Sequence, residues 1–171
     1  AALSRMIRGA SDQALAYVQA VQLLARIEDD DQRIALMEQL VEQDGESAEA
    51  RFALALTQAA VGNAERAREL ATEAVALRPD WDDPREFIVR TLVTEERADE
   101  AVTTLDAFIT DHPSHALRLL RVQLAMQAED YGIALAQLDR MLEAQPMILQ
   151  GMAMATVGTV GTVGTVTVTV P

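Results

Sequence analysis

The 171-residue sequence predicts an all-α fold: antiparallel helix pairs stacked into a right-handed α-solenoid of about four units. Three observations carry that expectation. Prolines recur at Pro79, Pro113 and Pro146, spaced by 34 and then 33 residues, and Ala67, Ala101 and Ala134 recur in step with them. Each proline follows an apolar run with helical periodicity, as in Val102, Leu105, Phe108 and Ile109, or Ile133, Leu138, Met141 and Leu142. Most of the helical runs are preceded by a residue able to cap a helix N-terminus.

In chain order, residues 1–10 read as the end of a preceding helix. Ser11 then caps a helix over about 12–27, and Asp30 opens its partner over 30–43. Ser47 starts 47–60, and Gly62 supplies the positive φ of a tight turn before Asn63 opens 64–77. Asp83-Pro84-Arg85-Glu86 combines a capping carboxylate, a proline in the first turn and an acid, starting 83–95; its partner spans 98–111. Ser114 and Asp130 open the last pair, 114–127 and 131–144. Proline lacks the amide hydrogen a helix needs and disfavours helical geometry in the residue before it, so each proline closes its helix.

A lone helix pair cannot bury its apolar face, so neighbouring pairs must stack to exclude water. Alanines allow close helix approach, and Phe52, Leu54, Leu70, Ile88, Leu92 and Leu105 fill the remaining space. Each such side chain contributes roughly 1.5–3 kcal/mol when fully buried.

Composition excludes several kinds of work. With 14 basic against 27 acidic side chains the formal net charge is −13, which argues against nucleic-acid binding. Aromatic residues make up only 4%, too few for a base-stacking platform. There is no cysteine, hence no disulfide framework, thiolate zinc site or cysteine nucleophile. Every basic residue is Arg, which together with abundant Ala suggests a GC-rich bacterial genome. Residues 1–10 show no secretory pattern, and a start on Ala is expected of a processed chain or a fragment; bacterial cytoplasm and periplasm both remain open.

The 34-residue unit, with a small residue in its second helix and a closing proline, resembles the tetratricopeptide repeat (TPR). In a unit spanning 48–81, Leu54, Ala55, Gly62, Ala67, Ala74 and Pro79 fall on the signature positions. In 82–115, Ala101 and Pro113 fit, whereas Val89 and Phe108 replace small residues. The unit at 116–149 keeps Tyr131, Ala134 and Pro146 but is one residue short, leaving its first-helix register open. The unit at 14–47 diverges, with Arg33 and Gly45 at the Ala and Pro positions. Residues 11–146 therefore form the expected solenoid.

The resemblance implies a concave groove lined by the first helix of each unit. Its lining would include Glu49, Phe52, Leu56, Ala59 and Ala60, then Asp83, Glu86, Arg90, Val93 and Thr94. The last unit would add Leu119 or Leu120, Gln123 or Leu124, and Gln127; the first adds Val18, Gln22 and Arg26. Glu49, Phe52, Leu56, Glu86, Arg90, Gln123 and Gln127 are the leading candidates for partner contact, Phe52 and Arg90 foremost. Arg90 suits bidentate pairing with a partner carboxylate, although Glu86 at i−4 competes for it. Some members of the family clamp a terminal carboxylate with Lys and Asn; this chain has no Lys and only Asn63.

Catalytic and metal chemistry find little support. Asp111, His112 and His115 surround Pro113 in a loop with no third strong ligand nearby, and Ser114 serves better as a cap than as a nucleophile. The acids at 28–31 and 80–83 lack the spaced ligands of a calcium loop. No phosphate-binding glycine loop is present. Neither an enzyme nor a cofactor is expected. Trp81 is expected to pack across a junction between units.

From Met147 to Pro171 the chain carries no charge and ends in Gly-Thr-Val repeats. A capping helix followed by a flexible tail, or a non-native extension, both fit; the Gly and Thr content and absent basic flank argue against a membrane span. The function expected is a protein–protein interaction scaffold that binds a peptide or partner helix. Self-association through the solenoid ends or tail, or docking within a larger enzyme or assembly, are the alternatives.

Overall fold

A computed structural model describes residues 7, 9–10, 12–43 and 46–143. Among the described residues there are eight helices and no strand: α1 (Gln13–Leu24), α2 (Asp30–Gln43), α3 (Ala48–Ala60), α4 (Ala64–Leu77), α5 (Asp82–Thr94), α6 (Ala98–Asp111), α7 (His115–Gln127) and α8 (Tyr131–Glu143). Boundaries agree with the periodicity to within three residues; the largest difference is α1, which ends at Leu24. Readings that concern Ser11, Gly45, Pro146 and residues 147–171 lie outside the described residues.

Helix ends follow the chemistry expected of them in most places. Ser47, Ser114 and Asp130 accept hydrogen bonds from the amides three residues on, Ala50, Leu117 and Ile133. Elsewhere the cap shifts. Asp12 caps α1 through the Leu15 amide, and Asp29, not Asp30, accepts from Gln32. Helix α5 begins at Asp82, so Asp83 and Pro84 lie inside its first turn and Trp81 precedes it without a side-chain cap bond. Asn63 donates its side-chain amide to Gln58 Oε1 instead of capping α4. Arg78 and His112, each directly before a proline, are extended at φ −138° and −136°, which ends α4 and α6.

The turns inside three of the pairs share one geometry. Gly62, Glu96 and Glu129 have positive φ (87°, 62° and 58°). In each turn the next residue's amide reaches back five positions: Asn63 to Gln58, Arg97 to Leu92 and Asp130 to Ala125, at 2.8–2.9 Å. The positive-φ residue itself donates to the carbonyl three positions back, completing a Schellman closure that satisfies otherwise orphaned carbonyls.

Packing runs along the chain. Helices α3 with α4, α5 with α6 and α7 with α8 form close pairs, and α4 meets α5 as α6 meets α7. Ala67, Ala101 and Ala134 are buried where the second helix of each pair crosses the first. The first pair differs: α1 and α2 both pack on α3 but make few close approaches to each other. Arg33, paired with Asp30, occupies the place where the other pairs have alanine. One continuous core links Ile7 to Leu120, and Val122, Ala125 and Ala134 form a small second cluster. At the far end of the stack, Leu138 and Leu142 of α8 are exposed, although their counterparts Leu105 and Ile109 in α6 are buried.

Arginine recurs at the fourth position of α3, α5 and α7, as Arg51, Arg85 and Arg118. Each reaches across its own pair, to Glu73, Asp111 and Gln137 respectively. Arg85 is only 1% exposed, donates to the Trp81 carbonyl at 3.2 Å and stands over the Phe108 ring. A second network ties α4 to the α5–α6 turn: Glu95 accepts from Arg68 at 2.6 Å and from Arg97 at 3.0 Å, and Arg97 also holds Glu100. The hydrogen bond from Arg68, and then that from Arg97, holds the Glu95 carboxyl below the usual carboxylate range.

Two expectations follow from these turns and charges. No atom lies within 4 Å of where a Cβ would stand on Gly62, so Gly62→Ala tests backbone strain alone. It should cost about 1 kcal/mol, while Glu129→Gly should stabilise by a similar amount; urea melts read both. Because the folded-state pKa of Glu95 is depressed, its contribution is complete above the ordinary carboxylate range and is lost as pH falls through the folded value. Melts of the parent chain and Glu95→Gln should therefore differ at neutral pH and converge in acid.

Candidate functional site

The site is built on three first helices that stand side by side. Helix α1 brings Ala14, Leu15, Tyr17 and Val18; α3 brings Glu49, Phe52, Ala53 and Leu56; the start of α5 brings Asp83 just after Trp81. Together they line a hollow of about 230 Å³ whose walls are mainly apolar. The three-to-four-residue spacing within α1 and α3 puts each set on one helix face, which is why neighbouring helices can present a shared surface.

Aromatic packing forms the floor. Phe52 meets Trp81 edge-on, with centroids 5.1 Å apart and planes at 80°, and meets Phe87 in the same manner at 5.6 Å and 82°. Such edge-to-face pairs add about 0.5–1.5 kcal/mol beyond burial. Trp81 thus packs across the junction between the α3–α4 and α5–α6 pairs while also lining the hollow. The Arg78 guanidinium covers the indole at 4.1 Å and pairs with Glu49, whose other oxygen accepts from the Ser47 hydroxyl at 3.1 Å. Glu49 is therefore already engaged by its own chain.

The residues singled out from sequence separate into groups. Glu49, Phe52 and Leu56 come together in the hollow, with Val18 and Asp83. Phe52 is 8% exposed and belongs to the core, so it shapes the floor and offers a partner little surface. Glu86 and Arg90 lie one and two turns beyond Asp83 on α5, outside the hollow, and pair with each other at 3.2 Å. Gln123 and Gln127 are exposed one turn apart on α7, also outside it. Of the two leucines offered for the same groove position, Leu120 is in the core and Leu119 is exposed.

Sequence reasoning missed Leu15, which is exposed on α1 beside the hollow, and Tyr17. The apolar periodicity of α1 contained the signal for both, but the divergent first unit obscured which face would be covered. No group of three His, Asp or Glu able to hold a metal ion occurs among the described residues. No described helix is long and apolar enough to cross a membrane.

No family model matches the chain, and no curated protein matches its sequence. Solved structures do match. MamA is similar at 15% identity with a TM-score of 0.56, over 87% of this chain and 88% of that one. A chain of the Naa15/Naa10 complex bound to HypK-THB is similar at 21% identity and a TM-score of 0.54, over 81% of this chain. The present chain spans only 21% of the length of that second match. YrrB, described as a TPR protein with an unusual peptide-binding site, aligns at 16% identity and a TM-score of 0.41. The stacked helix pairs and the likenesses to MamA and to the Naa15/Naa10 chain give the chain a TPR-like helical-repeat fold.

Proposed function

We propose that the chain is a protein-interaction scaffold that holds a peptide segment or partner helix along the face formed by α1, α3, α5 and α7. The observation that carries this reading is the apolar hollow, where Leu15 and Val18 face Phe52, Leu56 and Trp81 across neighbouring helix pairs. Its volume of about 230 Å³ is below the roughly 300–1,000 Å³ of pockets that enclose drug-sized ligands. A single large side chain projecting from a polypeptide suits it better. The exposed Leu119 and Met126 extend apolar surface onto α7, and Arg90, Gln123 and Gln127 offer polar contacts beside it. The similar Naa15/Naa10 structure is bound to HypK-THB, which is consistent with this reading.

Self-association is a second reading, favoured by Leu135, Leu138 and Leu142 standing exposed along α8. Light scattering of the full chain and of residues 1–146 tests it; a monomer in both removes it.

For the groove, the full chain is used to capture a partner from extracts of the source cells, alongside Val18→Phe, Arg90→Ala and, on α4, Arg66→Ala. Val18→Phe should reduce capture about tenfold or more and Arg90→Ala severalfold, with melting temperatures nearly unchanged; Arg66→Ala should capture normally. Loss of capture in Arg66→Ala with retention in Val18→Phe would overturn the assignment. Phe52→Ala is a folding variant: removing this buried ring should cost about 3–5 kcal/mol in urea melts.

A further inference from the structure

The charge pattern around the hollow points to the chemistry of what fills it. Nine of the twelve arginines among the described residues lie within ion-pair distance of a carboxylate of this same chain. Positive charge is thus largely neutralised internally, against a formal net charge of −13. At the hollow the contrast is local. Glu49 is engaged by Arg78 and Ser47, whereas Asp83 is exposed at the opening and forms no ion pair among the described residues. An apolar recess with one uncommitted carboxylate at its lip complements an apolar side chain that has a cation beside it.

We propose that the hollow accepts a Leu-sized side chain from a basic peptide segment, with a neighbouring Arg or Lys of that segment against Asp83. This inference rests on the groove-binding reading and narrows it to one partner chemistry. The aromatic floor and the walls from α1 and α3 supply contact area, while Asp83 and the acidic field of the chain select the charge of the flanking residue. An acidic segment meets repulsion from that field and leaves Asp83 without a counter-charge.

Trp81 is the sole tryptophan and lines the hollow, so its emission reports occupancy. Three synthetic peptides of equal length, each with a central Leu flanked on both sides by Arg, Gln or Glu, are titrated into the full chain at low salt. The Arg peptide should shift Trp81 emission saturably and bind at least about threefold more tightly than the Gln peptide, with the Glu peptide weakest. Asp83→Asn should erase most of the Arg peptide's preference over the Gln peptide, and Val18→Phe should abolish all three shifts. Circular dichroism checks that both variants remain folded. If the peptides shift Trp81 and Val18→Phe blocks them, but Arg, Gln and Glu bind equally, the charge inference falls and the groove reading stands. If no peptide shifts Trp81, the hollow is not the recognition site and this inference is overturned; the capture experiment with groove variants judges the broader reading separately.

Discussion

Each helix pair in this chain has one apolar side too many, and covering that side with the next pair is the constraint on which the structure depends. Ala67, Ala101 and Ala134 let paired helices cross closely, so that Leu70, Val89, Leu92 and Leu105 reach between pairs and are shut away from water. Buried apolar area supplies the stabilisation, and backbone closure sets the geometry. The three Schellman turns share one set of backbone hydrogen bonds, and the extended residues before Pro79 and Pro113 stop the second helix at the point where the next pair must begin. Where the alanine is replaced, by Arg33, the packing differs: α1 and α2 lean chiefly on α3 and little on each other.

That irregular start shapes the candidate site. Helix α1 lies against α3 with Leu15 and Val18 facing outward, opposite a floor of Phe52 and Trp81. The same stacking that hides Phe52 therefore leaves a recess above it. Residues left exposed by the stack, Asp83 and Arg90 on α5 and Leu119, Gln123, Met126 and Gln127 on α7, define a surface that owes its shape to the core but is not needed to hold it together.

Much of this architecture was legible because its signals are chemical. Serine and aspartate before apolar runs marked the starts of α3, α7 and α8, and prolines marked the ends of α4 and α6. Positive φ was legible at Gly62 but not at Glu96 and Glu129, because glutamate carries no sign of that conformation; only the 34- and 33-residue spacing links them. The Arg51, Arg85 and Arg118 series was equally recoverable from spacing, but charged residues are not where one looks for buried packing. At the site, Phe52 was assigned both to packing between pairs and to partner contact, and at 8% exposure it serves chiefly the packing. Its burial comes from Trp81 and Phe87 of the following pair, contacts that no local pattern encodes. The merging of α1 with α3 into one hollow was hidden for the same reason.

Native-state hydrogen exchange across the chain is the most direct test of the stacking account. Amides in α3, α4 and α5, covered by pairs on both sides, should exchange most slowly, with protection falling stepwise toward α1 and α8, which pack chiefly on one neighbour each. Uniform protection that collapses in a single global opening would indicate a closed bundle and contradict it.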